Sequence, residues 1–173
     1  MQEPKLFSEE PVRPLRGFIA SDNLYSAAMD AFVVDCTDFV AVNRSRKTIY
    51  LAKRLVESAK GIWRFGGRRK AGETMAESLT RLAKRELGLA VDPQRFQWVC
   101  DQDCIWAYRA QAPQDAGCHT FIHVFAVDLT TAEIEQAAMK LDPKEYDKAF
   151  GIQEFDRERL VSDHTRQPIV AMY

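Results

Sequence analysis

The spacing of hydrophobic residues along the chain predicts strands and helices in alternating groups. Two apolar segments, AFVVDCTDFVAVNR and TIYLAKR, predict a strand, a turn around Asp35 to Asp38, a second strand and a continuation of the sheet. RFQWVCDQDCIWAYRA predicts a strand pair or a strand and a loop, and CHTFIHVFAVDL predicts a strand. TTAEIEQAAMKL fits either a short helix or a loop, and the C-terminal segments predict a short strand followed by helices. This order favours a mixed α/β fold with helices on two sides of a sheet.

The segment from Glu73 to Leu87 predicts an amphipathic helix. Thr74 and Glu77 have the spacing of a capping box, in which each side chain bonds the backbone N–H of the other residue. Gly88 stands where a helix commonly ends in the left-handed conformation.

Glu86 falls on the hydrophobic face of this helix. Three apolar residues share that face at helical spacing: Leu79, Leu82 and Ala83. A buried carboxylate costs several kcal/mol unless it is paired or bound to a cation. Two explanations follow, an ion pair with Arg85 or with an arginine across the sheet, and a metal ligand.

The glycine-rich segment WRFGGRRKAGE before the helix favours the metal ligand. Glycines let the backbone approach a ligand closely, and the basic residues Arg68, Arg69 and Lys70 surround the site with positive charge. Mg²⁺ takes oxygen ligands and commonly uses one or two carboxylates together with phosphate oxygens.

Length and composition are those of one globular domain. The chain has 173 residues, of which 46% are hydrophobic and 28% charged. Residues 1–16 predict an extended lead-in and residues 17–173 a single domain. We expect a cytoplasmic protein, because the sequence has neither a secretion signal nor an apolar run that could span a membrane. A net charge of −1 and the absence of a basic helix or RNA motif argue against nucleic acid as a partner.

The charged residues are unevenly distributed. The segment from Arg44 to Lys70 is basic with one acid, Glu57, whereas the segment from Asp128 to Asp163 is mainly acidic. This pattern fits either a solvated surface or basic loops that meet a phosphorylated ligand while distant acids hold its metal.

Cysteine and histidine spacing argues against a zinc site. The four cysteines have no CxxC pair, and reduced thiols are expected. Cys118, His119 and His123 lie in a predicted strand, where positions i and i+4 are about 13 Å apart and cannot share one ion. We expect His123 to be structural, and the three tryptophans to serve in packing, although Trp98 or Trp106 could also stack on a base.

The spacing of Gly67, Glu73, Arg81, Glu86 and Gly88 resembles the Nudix box, G-x5-E-x7-R-E-U-x-E-E-x-G-U. The resemblance implies a Nudix-type α/β/α sandwich with a mixed central sheet. Two acids of that box are replaced, since its R-E and E-E pairs read Arg81-Leu82 and Arg85-Glu86 here.

The modified segment RLAKRELGL is similar to the box of the GDP-mannose mannosyl hydrolases, R-L-x-x-x-E-L-G-L. That family uses a single Mg²⁺ and water to break the sugar C1–O bond, and the resemblance implies a homodimer. It assigns the metal to the carbonyl of Gly66, to Glu86 and to Glu145. Four residues are implied to bind the substrate: Asp30, Arg54, Arg68 and Arg81.

The catalytic residues implied by the resemblance are Arg68, Tyr146 and Asp147. Arg68 would stabilise the leaving group, and Tyr146 occupies the position of the family's general-base histidine. A phenol with a pKa of about 10 is a poor proton acceptor at neutral pH, so Glu145 or Asp147 would have to replace it.

Three functions remain open. The first is Mg²⁺-dependent hydrolysis of a nucleotide sugar to a nucleoside diphosphate and free sugar. The second is a Nudix pyrophosphohydrolase that cleaves a P–O–P bond, against which the replaced acids argue. The third is a Nudix domain that binds a nucleotide or nucleotide sugar without catalysis, which the tyrosine at the base position favours.

Overall fold

Seven strands form one mixed sheet in the part of the chain that the computed structural model describes, which is Phe7, Ile19 and residues 21–172. The strands are β1 (Val34–Asn43), β2 (Thr48–Arg54), β3 (Gly61–Trp63), β4 (Phe65–Arg68), β5 (Phe96–Trp106), β6 (Cys118–Asp128) and β7 (Ile152–Phe155). The helices are α1 (Asp22–Ala31), α2 (Met75–Leu87), α3 (Thr131–Lys140), α4 (Arg157–Ser162) and α5 (Gln167–Val170). Apart from Phe7, the predicted lead-in at residues 1–16 lies outside the described residues.

Strand β1 is central to the sheet, whose order is β3-β2-β1-β6-β5. It pairs in parallel with β6 from Val34 opposite Thr120 to Val42 opposite Asp128. Its other edge pairs with β4 at residues 36–39 and with β2 at residues 41–43. Strand β7 pairs with β2.

Two hydrophobic clusters lie on opposite faces of the sheet. One cluster joins Phe39 of β1 to Leu79 and Leu82 of α2 and to Ala137 of α3. The other cluster contains Val40 of β1 and, from the C-terminal helices, Leu160 and Ile169. Successive residues of β1 enter different clusters because strand side chains alternate between faces. The predicted α/β/α sandwich with a mixed sheet is therefore confirmed.

The helix predicted from Glu73 to Leu87 is confirmed as α2, which begins two residues later, at Met75. Thr74 is the N-cap, and both bonds of its capping box with Glu77 are present. Gly88 ends the helix in the left-handed conformation, with φ of 68°. The ambiguous segment at residues 130–141 is a helix, α3, and the aromatic segment before it contains one long strand, β5.

The predicted turn around Asp35 to Asp38 is wrong, because β1 runs through these residues without interruption. Partners on both edges hold the segment extended. The polar side chains that suggested a turn are paired within the fold: Asp38 is buried against Arg64, and Asp35 bonds Arg69. The structure also has α1, β3 and β4, which the hydrophobic pattern did not predict.

None of the helices among the described residues is long and apolar enough to cross a membrane.

Candidate functional site

A cavity of about 460 Å³ opens beside the paired strands β1 and β4. Its walls come from these strands, from α1 and from the loops that follow β2 and β5. Four arginines contribute to the lining: Arg54, Arg68, Arg85 and Arg109. Ligand cavities in proteins commonly have volumes of about 300–1,000 Å³, so the size suits a small molecule.

Glu86 is buried on α2, as its helical spacing predicts, with 3% of its surface exposed. Both oxygens of its carboxylate have partners. The guanidinium of Arg85 donates from Nε to Oε1 over 2.6 Å, and the Tyr146 hydroxyl donates to Oε2 over 2.5 Å. Of the two explanations given by the sequence, the ion pair with Arg85 is present in the structure.

Arg85 also reaches the glycine-rich strand. Its Nη2 donates to the carbonyl oxygen of Gly66 over 3.0 Å, so one guanidinium joins α2 to β4. Gly67 leaves space for this contact, because a Cβ atom there would lie 2.9 Å from Nη2. Burial opposes a charge on Arg85, but the neighbouring carboxylate of Glu86 holds its pKa above the ordinary value.

The predicted Mg²⁺ donors do not fit a metal ion in this arrangement. Two of the three, Gly66 and Glu86, already accept hydrogen bonds from the cationic side chain of Arg85. Across the described part of the chain, no group of three or more His, Cys, Asp or Glu residues is placed to hold a metal. Arg85 therefore fills the position that the sequence assigned to the cation.

Glu145, the third predicted donor, lines the cavity. Its carboxylate lies 3.6 Å from Nη2 of Arg54, which leaves β2 towards the same wall. Burial, and then the charge of Glu86, raise the pKa of Glu145, against the lowering effects of Arg54 and Arg85.

Tyr146, the predicted catalytic base position, is buried with 2% of its surface exposed, and its side chain does not line the cavity. Burial and the charge of Glu86 raise the pKa of the Tyr146 hydroxyl well above its ordinary value. The hydroxyl acts as a hydrogen-bond donor. Because its pKa is so high, the phenol stays protonated at neutral pH, and no phenolate is present to take a proton from water.

Asp147, the other predicted base, also lies outside the cavity lining. It accepts hydrogen bonds from the backbone N–H groups of Ala149 and Phe150 and pairs with Lys53 over 3.3 Å. The bond from Phe150, followed by the contact with Lys53, holds the pKa of Asp147 below its ordinary value. In this position it stabilises a turn.

The predicted substrate-binding residues fall into two groups. Arg54 and Arg68 line the cavity, and the guanidinium of Arg68 lies over the Tyr25 ring at 5.1 Å. Arg81 lies outside the lining, where its Nη2 donates to Glu73 over 2.8 Å and to the carbonyl oxygen of Arg68 over 3.0 Å. Arg81 thus fixes the strand before α2 to the helix.

Asp30, the fourth predicted substrate contact, lies on α1 and not at the start of the first core strand. It reaches the cavity only through Arg109, whose Nη1 donates to it over 2.6 Å. Arg109 is 1% exposed and also donates to Ser26 and to the carbonyl oxygen of Gly117. Sequence reasoning missed Arg109, because it stands in the loop after β5 without any motif around it.

Two buried guanidinium nitrogens in the cavity wall lack a partner. Among the described residues, the buried side-chain nitrogens without a hydrogen-bond acceptor are Nε of Arg54 and Nε of Arg109. Buried donors are normally satisfied, so these two guanidinium groups have bonding capacity that the described residues leave unused.

Aromatic rings form the apolar part of the cavity. Trp63 and Trp106 both line it and pack edge to face with ring centroids 5.5 Å apart. Trp98 lies elsewhere and is 36% exposed. His123 bonds Asp101 over 2.8 Å and pairs with Asp35 on the sheet, as expected for a structural histidine.

Comparison with solved structures finds proteins of similar fold. No protein-family model and no curated protein sequence matches the chain. Among solved structures, a MutT Nudix hydrolase from Burkholderia pseudomallei matches with a TM-score of 0.58 and 20% identity, covering 75% of this chain and 87% of its own. A MutT protein from Methanosarcina mazei matches with a TM-score of 0.54 and 14% identity, over 75% of this chain and 81% of the other.

A third structure is the dihydroneopterin triphosphate pyrophosphohydrolase of E. coli, with a TM-score of 0.54, 11% identity, and coverage of 82% of this chain and 94% of the other. At such identities the similarity concerns the fold and not the reaction. This protein has the fold of the Nudix hydrolases.

Proposed function

We propose that the cavity binds the diphosphate group of a nucleoside diphosphate derivative, with nucleotide sugars as the ligand class. The observation that carries the proposal is the set of four arginines that line the cavity. A guanidinium is planar, keeps its charge and binds phosphate oxygens through two parallel N–H groups. Within the described residues, Nε of Arg54 and Nε of Arg109 are buried without a hydrogen-bond acceptor, so the protein does not use the full donor capacity of these two side chains.

Charged side chains of both signs line the cavity. Three acids also line it, namely Asp38, Glu57 and Glu145. Asp38 is already paired with the buried guanidinium of Arg64 over 3.0 Å. Three of the four arginines have acidic partners, Arg54 with Glu145, Arg85 with Glu86 and Arg109 with Asp30, so the diphosphate would add to ion pairs that are already present.

The aromatic side chains suit the remainder of such a ligand. Trp63, Trp106 and Tyr25 border the same cavity. Both tryptophans are buried, so partly buried Tyr25 is the ring among these three with surface left for a base or a sugar. The homodimer and the cytoplasmic location stay predictions from the sequence.

Binding without turnover fits the geometry better than the Mg²⁺-dependent hydrolysis expected from the sequence. Tyr146 donates its hydrogen bond to Glu86, and Asp147 lies outside the cavity. Arg85 stands where the metal was expected, so no step of this proposal uses Mg²⁺.

Hydrolysis of the same ligand is the second candidate, and Glu145 is the observation in its favour. This carboxylate lines the cavity, and its raised pKa brings it closer to the range in which a general base works at neutral pH. The Nudix-type fold of several hydrolases adds support by analogy. Either the sugar C1–O bond or the P–O–P bond could be the one that breaks.

The test combines calorimetry with product analysis by ³¹P NMR, using GDP, GDP-mannose and UDP-glucose. Binding without products supports the first candidate. Release of GDP indicates cleavage at the sugar, and release of GMP indicates cleavage between the phosphates. Failure of all three compounds to bind would refute the proposal.

Two neighbouring arginines provide a matched pair of variants. Arg68→Gln removes a charge from the cavity lining, and we expect a loss of affinity of at least about tenfold, as for a lost charge-assisted contact. Arg69→Gln removes the same charge from a side chain that pairs with Asp35 outside the lining, and the affinity should change less than about threefold. Equal losses in both variants would argue against the cavity as the binding site.

A further inference from the structure

The guanidinium of Arg85 occupies a position with an unusual set of neighbours. It bonds the carboxylate of Glu86, 98% of whose side chain is buried, and the main-chain carbonyl of Gly66. These are oxygen atoms of the kind that surround a hard cation in proteins. The positively charged side chain of Arg85 therefore lies between α2 and the glycine-rich strand β4.

We infer that Arg85 is the cation of this site and that the ligand's diphosphate binds without a divalent metal. The inference rests on the proposed function, since it concerns how the same cavity holds an anion.

Both carboxylate oxygens of Glu86 already accept hydrogen bonds, which disfavours a metal at this position. One oxygen accepts from Arg85 and the other from Tyr146, so a metal would have to displace the guanidinium and leave the buried hydroxyl without its acceptor. Displacing a guanidinium from a buried carboxylate is costly, because it separates an ion pair inside the protein.

Arg85 keeps donors for a ligand after these contacts. A guanidinium has five N–H groups, and within the described part of the chain its bonds to Glu86 and Gly66 use Nε and Nη2. The two N–H groups of Nη1 are left. The side chain is 48% exposed and lines the cavity, so a phosphate oxygen can reach it from the open side.

The surrounding glycines allow this arrangement. Gly66 has φ of 145°, and a Cβ atom there would lie 2.3 Å from Oδ1 of Asp38, so this position of β4 has no room for a side chain against β1. At Gly67 a Cβ atom would meet the guanidinium itself. The absence of a side chain at Gly67 thus leaves the space that the Arg85 guanidinium occupies.

The first experiment measures the affinity of GDP for the full chain by calorimetry, once in EDTA and once in Mg²⁺. We expect dissociation constants that agree within about twofold. An affinity at least about tenfold lower in EDTA would overturn the inference and leave the proposed function intact. Absence of binding in both solutions would refute the proposed function itself.

The second experiment asks whether the position accepts a metal once the guanidinium is gone. Arg85→Glu adds a carboxylate near Glu86 and Glu145, and such a group of acids needs a cation. Lys84→Glu is the matched control, because it makes the same charge change on the exposed neighbour in α2. Mn²⁺ serves as the probe, and electron paramagnetic resonance reports its bound fraction without ligand or turnover.

We expect Arg85→Glu to bind Mn²⁺ at least about tenfold more tightly than the wild-type chain and the Lys84→Glu variant. Equal Mn²⁺ affinity in folded samples of both variants would contradict the assignment of a cation position. Circular dichroism verifies folding, and if Arg85→Glu does not fold, the comparison of EDTA with Mg²⁺ on the wild-type chain decides alone.

Discussion

Tyr146→Phe removes one hydroxyl group from the buried contact with Glu86 and changes little else. The hydroxyl donates to Oε2 of Glu86 over 2.5 Å, and the ring packs against Phe65 with centroids 6.0 Å apart. The phenylalanine ring keeps the packing. The carboxylate oxygen, however, loses its donor in a region where water does not replace it.

The magnitude follows from the charge of the acceptor. Hydrogen bonds to charged groups contribute about 1.5–3 kcal/mol, and a buried acceptor left unsatisfied costs a similar amount. For a chain of this length, 1 kcal/mol corresponds to about 2–4 °C in melting temperature. We therefore expect the melting temperature to fall by about 3–12 °C.

The assay is urea unfolding followed by tryptophan fluorescence, with thermal unfolding as the second measurement. Tyr50→Phe is the control, because it removes the same hydroxyl from a partly buried residue of β2 outside the cavity lining, and its effect should stay within about 0.5 kcal/mol. The affinity for GDP should change less than about threefold in Tyr146→Phe, since Arg85 still holds Glu86.

Unchanged stability of Tyr146→Phe would refute the reasoning, because it would mean that the hydroxyl and Glu86 do not interact. A double-mutant cycle with Glu86→Gln isolates the pair, and we expect a coupling free energy above about 1 kcal/mol.

Three further predictions concern the strand, the cavity and the surface. Gly66→Ala should destabilise the fold by about 3 kcal/mol or more, because its Cβ would lie 2.3 Å from Oδ1 of Asp38; a wild-type melting temperature would contradict this. Glu145→Gln should tighten GDP binding about threefold to tenfold in calorimetry, since it removes a negative charge from the cavity lining; weaker binding would contradict the placement of the anion. The contact with Arg95 lowers the pKa of Glu133 from 4.5 to about 2, so its stabilisation is complete above pH 4.5 and is lost as the pH falls through 2. Glu133→Gln should therefore be less stable than the wild type by up to about 1 kcal/mol near neutral pH, with the difference disappearing towards pH 2; a constant difference would refute the assignment.

The elements with a strong period were predictable from the sequence. Helix α2 combines helical spacing with two cap signals, and its bounds follow from Thr74 and Gly88. The turn predicted around Asp35 to Asp38 failed because aspartates commonly mark turns, whereas here Arg64 and Arg69 donate hydrogen bonds to these carboxylates within a strand. Strands β3 and β4 are too short and too rich in glycine to show an alternation.

The site was predictable only in part. The burial of Glu86 follows from its spacing along one helix, whereas its pairing with Arg85 does not, because adjacent residues of a helix do not face each other. The second contact of Arg85 depends on the pairing of Gly66 with Asp38 in the sheet, which brings distant segments together. Arg109 reaches the cavity from a loop that has no periodic pattern, and its role depends entirely on tertiary structure.

Along one edge, strand β1 pairs with β4 at residues 36–39 and then with β2 at residues 41–43. The cavity lies beside this exchange, and residues 56–59, between β2 and β3, border it without belonging to any strand. Ala59 is buried in the core, but substitutions at the partly buried residues 56–58 can reshape the wall of the cavity while every sheet pairing remains intact. The scaffold therefore allows the choice of ligand to diverge during evolution at little cost to the stability of the fold.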